Sequence, residues 1–186
     1  MLKRIMAVAL MSVLALTMAA PAALAEETTC RGTIGKRTVD NLRVPSGATC
    51  TLNGTRVEGT IKVENRATLN ANGVRVKGNL QSEGFRAISV KNGSTFVGSV
   101  QLKNGLGNAS ITNARINGDL QFETNAGPIS ASKNTVLANL QVVGNTGGVS
   151  LTNNKIAENL QCKENTPPPT GGGNQAGDKE DQCARL

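Results

Sequence analysis

A tripeptide of the form Asn/Ser/Asp-Leu/Val-Gln recurs every twenty residues, as Asn79-Leu80-Gln81, Ser99-Val100-Gln101, Asp119-Leu120-Gln121, Asn139-Leu140-Gln141 and Asn159-Leu160-Gln161. Two nineteen-residue steps backwards meet Thr60-Ile61-Lys62 and Asn41-Leu42-Arg43. A period this short, held over most of the chain, predicts a solenoid, in which each repeat buries its apolar face only against its neighbours.

Aligned on the residue before each tripeptide (Asp40, Gly59, Gly78, Gly98, Gly118, Ala138, Glu158), the columns separate into inside and outside. Two places on stand Leu42, Ile61, Leu80, Val100, Leu120, Leu140 and Leu160. Four places on stand Val44, Val63, Ser82, Leu102, Phe122, Val142 and Cys162, and between them Arg43, Lys62 and the glutamines. Apolar, polar, apolar at period two describes a strand with one buried face.

A second strand precedes each anchor, marked by Cys50/Leu52, Leu69/Ala71, Ala109/Ile111, Ile129/Ala131 and Val149/Leu151, with Ile88/Val90 slipped by one residue. A third, shorter segment points Val57, Val76, Phe96, Ile116, Val136 and Ile156 inward. Asn53-Gly54, Asn72-Gly73, Asn92-Gly93 and Thr112-Asn113 supply the turns. Leucine-rich repeats share the period but need a helix or 3₁₀ segment on the convex side, and these half-coils are too rich in Asn, Gly, Thr and Ser for that. The prediction is an all-β, single-stranded, right-handed parallel β-helix of about seven coils, with a core ~34 Å long at ~4.8 Å per coil. Its stacked glutamines, Gln81 to Gln161, should form an amide ladder.

The four cysteines lie at the ends of the repeat: Cys30 and Cys50 are twenty residues apart, Cys162 and Cys183 twenty-one. Residues one repeat apart sit on neighbouring coils, within the Cα range of a disulfide. The pairs Cys30–Cys50 and Cys162–Cys183 are therefore expected, stapling both ends. Residues 26–39 read as an N-terminal cap, 40–161 as the β-helix and 162–186 as a Pro/Gly cap. In that last part Pro167 to Gly173 is expected to replace a strand, and Asp178-Lys179-Glu180-Asp181 to put charge where the next leucine would stack.

Residues 1–25 read as a signal peptide, with basic Lys3 and Arg4, an apolar run from Ile5 to Ala20, and Ala23-Leu24-Ala25 as the cleavage site. A secreted, periplasmic or cell-surface protein is expected, with no transmembrane anchor after processing. Its remaining 161 residues carry 18 basic and 13 acidic side chains, a net charge of +5. The excess lies in the front half.

Little in the composition suits catalysis. The chain has no His, Tyr or Trp, so the commonest general base and the larger sugar-stacking rings are missing. Of three phenylalanines, Phe96 and Phe122 fall in core columns, while Phe85 is placed at a turn and expected to be exposed. Glu64, Glu83, Lys103 and Glu123 share one outward column and read as a solvated salt-bridge face. A pair of glycan-cleaving carboxylates there is the alternative. No catalytic residue, metal or cofactor is expected.

A second outward column contains Arg56, Arg75, Thr95, Arg115, Thr135 and Lys155. Arg56, Arg75, Arg115 and Lys155 either grip a periodic polyanion or keep the edge soluble. Nucleic acid is disfavoured as that polyanion, because exposed aromatic stacking platforms are absent.

The chain resembles a group of small secreted bacterial β-helix repeat proteins. Their coils carry Gly-Asn-Leu-Gln-like steps, and they end as this chain does, in Asn159-Leu160-Gln161-Cys162, a Pro/Gly stretch and Gln182-Cys183. More distantly it is similar to bactofilins, polymers of short β-helical coils that generally lack a signal peptide and cysteine caps. The resemblance implies a secreted β-helix and brings no activity with it. The expectation is a non-enzymatic structural or surface-interaction rod whose partner is an anionic cell-wall or extracellular polysaccharide, with self-association left open. The alternative is a β-helix enzyme or binding module acting on acidic polysaccharide.

Overall fold

The computed structural model describes residues 26–186, so the leader reading of residues 1–25 lies outside the described residues. They form three parallel sheets wound from a single chain, a β-solenoid of about seven turns with a repeat of about twenty residues. One sheet has nine strands, from Glu27–Thr29 and Asn41–Val44 to Asn159–Lys163 and Asp178–Asp181. A second has eight, from Thr33–Ile34 to Thr170–Gly172, and a third has seven two-residue strands from Thr38–Val39 to Lys155–Ile156. Each strand pairs with its equivalents one coil before and one coil after. The tripeptides are therefore in register: Leu80 pairs with Val100, Val100 with Leu120, and Leu120 with Leu140.

Alternation within the strands builds the core. The leucine column is sealed throughout, and the inward residues of all three sheets join one continuous apolar cluster from Cys30 to Cys183. Ser82 is the polar member of its column, and its hydroxyl donates to the carbonyl of Val63 at 3.0 Å. The one-residue slip at Ile88 vanishes in space. Ile88 pairs with Leu69 and with Ala109, and the extra residue of its coil is absorbed at the corner after it, where Asn92 and Gly93 both take left-handed φ.

Two corners flank the eight-stranded sheet, and each is a column of left-handed residues. One comprises Gly54, Gly73, Asn92, Asn113, Lys133, Asn153 and Gly173, the other Gly47, Arg66, Gly84, Asn104, Thr124, Gly144 and Glu164. The Asn-Gly turns expected from sequence fall in the first. At the third corner the requirement is space: a Cβ on Gly98 would lie 2.2 Å from Oδ1 of Asn79.

In both left-handed corners the following residue points inward, which corrects the expectation for Phe85. Its ring is fully buried, not exposed, because it follows Gly84 (φ 69°) and turns into the core. Gly105 on the next coil makes room for it, since a Cβ there would lie 2.1 Å from the ring.

The ends also differ from expectation. The Pro/Gly segment does not replace a strand: Thr170–Gly172 pairs with Ser150–Thr152, because the three prolines precede this strand and the glycines still present backbone hydrogen-bonding groups. Lys179 does take the next leucine's place, opposite Leu160, and its ammonium reaches the carbonyl of Leu186 at 2.5 Å. At the front, Glu27–Thr29, Thr33–Ile34 and Thr38–Val39 form a contracted coil. Both expected disulfides are formed, Cys30–Cys50 with Cα atoms 5.5 Å apart and Cys162–Cys183 with 5.2 Å.

Candidate functional site

Four polar ladders run along the solenoid, and they differ in what they can offer a ligand. On the nine-stranded sheet Gln81, Gln101, Gln121, Gln141 and Gln161 pass hydrogen bonds from Nε2 to Oε1 at 3.2, 3.1, 2.8 and 2.8 Å, ending on the carboxylate of Glu180. The expected amide ladder therefore exists, and its polar groups are largely consumed within it. Beside it the first tripeptide position forms a ladder that the sequence reading did not foresee. Oδ1 of Asn79 accepts the N–H of Ser99 at 2.8 Å, Oγ of Ser99 that of Asp119 at 3.1 Å, and Oδ1 of Asp119 that of Asn139 at 3.0 Å. A short side chain with an acceptor is needed at every step, and the restriction to Asn, Asp, Ser and Thr was the signal that could have shown it.

Two more ladders are buried. Asn125, Asn145 and Asn165 stack at one left-handed corner, and Asn134, Asn154 and Asn174 at the other. Each Oδ1 accepts a backbone N–H from the preceding coil, as Asn145 does from Asn125 at 2.9 Å, and each Nδ2 donates to a carbonyl of that same preceding coil, as Asn145 does to Phe122 at 3.0 Å. These groups are satisfied internally, as buried amides must be.

The acidic column is held apart as ion pairs. Lys103 lies between Glu83 and Glu123 in register and bonds Glu123 at 2.5 Å. Glu64 accepts the N–H and hydroxyl of Ser46 at 3.0 and 3.2 Å and a guanidinium N–H of Arg43 at 3.4 Å, while Glu83 accepts Nδ2 of Asn104 at 3.2 Å. The Ser46 amide first, helped by its hydroxyl and by Arg43, holds the Glu64 carboxyl below its usual range against the opposing effect of desolvation. A general acid needs the opposite shift. A shallow groove of about 530 Å³ runs past Glu64, Gln81, Glu83 and Lys103.

The basic column is different. Arg56 and Arg75 pair directly, Thr95 lies between Arg75 and Arg115, and Thr135 between Arg115 and Lys155. All four cations are exposed. The described ion pairs join Arg43 to Glu27 and Glu64, Lys77 to Glu58, Lys103 to Glu123 and Lys163 to Glu164, and among the described residues none engages Arg56, Arg75, Arg115 or Lys155. Five coil steps spread these cations over ~24 Å. The column can present cationic donors to an extended anion without first breaking an internal salt bridge.

Fold and surface thus define, among the described residues, a disulfide-stapled β-solenoid with one column of unpaired cations. No family model matches the chain, and comparison with curated proteins and with solved structures finds no match.

Proposed function

We propose that the protein is a non-enzymatic, secreted or surface-held rod that binds anionic envelope polymers along Arg56, Arg75, Arg115 and Lys155. One observation carries this reading: the four cations are aligned, exposed and without acidic partners among the described residues. In the column of Glu64, Glu83, Lys103 and Glu123, by contrast, Lys103 meets Glu123 and Glu64 meets Arg43. The stacked coils and end disulfides would hold the cations at fixed spacing, so the ligand would not bear the entropy of ordering them. Disulfide formation also suits an oxidising compartment outside the cytosol.

The test is retention on purified anionic cell-wall polymer, comparing the wild type with a variant carrying Arg56→Ala, Arg75→Ala and Arg115→Ala. Retention should fall in the variant and with rising salt. Unchanged retention would remove the basic column from the function.

A further inference from the structure

From Arg75 to Lys155 the face of the seven-stranded sheet repeats every two coils, although the backbone beneath it repeats every one; before that stretch Arg56 and Arg75 stand on successive coils. Its two outward positions are Arg75 and Lys77, then Thr95 and Val97, Arg115 and Asn117, Thr135 and Leu137, and Lys155 and Ala157. Coils bearing a cation therefore alternate with coils that carry threonine beside an exposed aliphatic side chain. Val97 is 59% exposed and Leu137 38%, and together with Leu106 they are the large hydrophobic residues exposed among the described residues. Lys77 is neutralised by Glu58, which leaves Arg75 as the unpaired cation of its strand on this face among the described residues.

The core does not impose this alternation. Val76, Phe96, Ile116, Val136 and Ile156, which lie between the two outward columns, are buried and apolar in every coil. The glutamine ladder on the neighbouring sheet also keeps the one-coil repeat. Solubility alone would favour charge on each coil and would not leave Val97 and Leu137 in water.

We infer that this face binds a linear glycan in which an acidic sugar alternates with a neutral one, lying along the solenoid axis with one sugar over each coil. The inference rests on the polyanion reading of the same column and adds the charge spacing of the ligand. Coils advance by ~4.8 Å, close to the advance of one hexose in an extended chain, so Arg75, Arg115 and Lys155 stand ~9.6 Å apart, one per disaccharide. Each guanidinium can take a carboxylate or sulfate with two N–H groups. Between them the hydroxyls of Thr95 and Thr135 meet a neutral sugar's hydroxyls, and Val97 and Leu137 cover its C–H face. Phe85, Phe96 and Phe122 are buried and cannot provide that contact. A polymer with an acid on every sugar would place alternate carboxylates over threonine and an aliphatic side chain, where a charge loses hydration without a partner.

The experiment measures binding of two hexasaccharides by calorimetry in one buffer of low ionic strength. Hyaluronan hexasaccharide alternates glucuronate with a neutral amino sugar, and hexagalacturonate is acidic at every sugar. The hyaluronan fragment should bind the wild type roughly two- to fivefold more tightly despite carrying half the charge, a margin of the size exposed ion pairs deliver. Substituting Thr95→Arg and Thr135→Arg should reverse the order, and Val97→Asn with Leu137→Asn should weaken the hyaluronan fragment while leaving the thermal midpoint unchanged. Equal or tighter binding of hexagalacturonate by the wild type would overturn the alternation and leave the polyanion reading standing. Binding of neither would overturn both.

Discussion

Gln182 takes the place of the next asparagine after Asn165. Its Oε1 accepts the backbone N–H and Nδ2 of Asn165 at 2.9 and 3.0 Å, and its Nε2 donates to the Asn165 carbonyl at 2.9 Å. The buried ladder therefore closes on a side chain from the cap, next to the Cys183 disulfide. Gln182→Ala leaves donors in a buried column without partners and should destabilise the last coil by about 1–3 kcal/mol. Amide exchange at Asn165 should quicken strongly while exchange at Leu120 stays as in the wild type.

Burial ranks the ladders. Asn145 is sealed and serves Asn125, Phe122 and Asn165, whereas Gln121 lies on the half-exposed outer face. Asn145→Ala should cost about 2–4 kcal/mol, because several buried groups lose partners together, and Gln121→Ala about 1 kcal/mol or less. Urea unfolding followed by circular dichroism would measure both. Equal losses would contradict the assignment of the interior asparagines as the stronger fastening.

Thr124 is a β-branched residue at φ 55°, in a column where Gly84 and Gly144 hold the same conformation. The left-handed region disfavours such a residue by about 1–2 kcal/mol, and glycine gives back about 0.5–1 kcal/mol through its freer unfolded chain. Thr124→Gly should therefore raise stability slightly, by about 0.5–1 kcal/mol, visible as a higher thermal midpoint.

The front corner should loosen in acid. The folded-state pKa of Glu64 is depressed, by the Ser46 amide first and then by its hydroxyl and Arg43. Its contribution is thus complete above the ordinary glutamate value, near pH ~4.3, and is lost as pH falls through the lower folded value. Arg43 is shifted upward by the hydrogen bonds to Glu27 and Glu64 and stays charged throughout. The thermal midpoint of the wild type should drop between neutral pH and pH ~3 more than that of Glu64→Gln, which lacks the titrating group.

Periodicity made much of the fold legible, because the inward positions of the strands are apolar in nearly every coil and outward ones need not be. The leucine column, the glutamine ladder and the cysteine pairs could be placed from spacing alone. Phe85 could not, since its direction depends on the left-handed conformation of Gly84, and no pattern of period two survives a corner. The interior asparagines carry no mark of burial in the sequence for the same reason. Asn134 and Asn154 do stand at turns, but each follows the left-handed residue, which rotates its side chain into the core. The Pro/Gly segment misled because proline was read for what it forbids, while Gly171 and Gly172 still bond across to the neighbouring strand.

For the basic column, sequence established alignment and structure established availability. Spacing alone put Arg56, Arg75, Arg115 and Lys155 on one edge, because a fixed repeat maps equal steps in number onto equal steps along the axis. Whether a cation is free depends on which carboxylates the neighbouring columns bring near it, and those columns meet only when the coils are wound. Tertiary structure paired Lys77 with Glu58 and Lys103 with Glu123 and left the four column cations open. The repeat is a one-dimensional property that the sequence carries whole, but charge pairing between columns is set by distances that exist only in the folded coil.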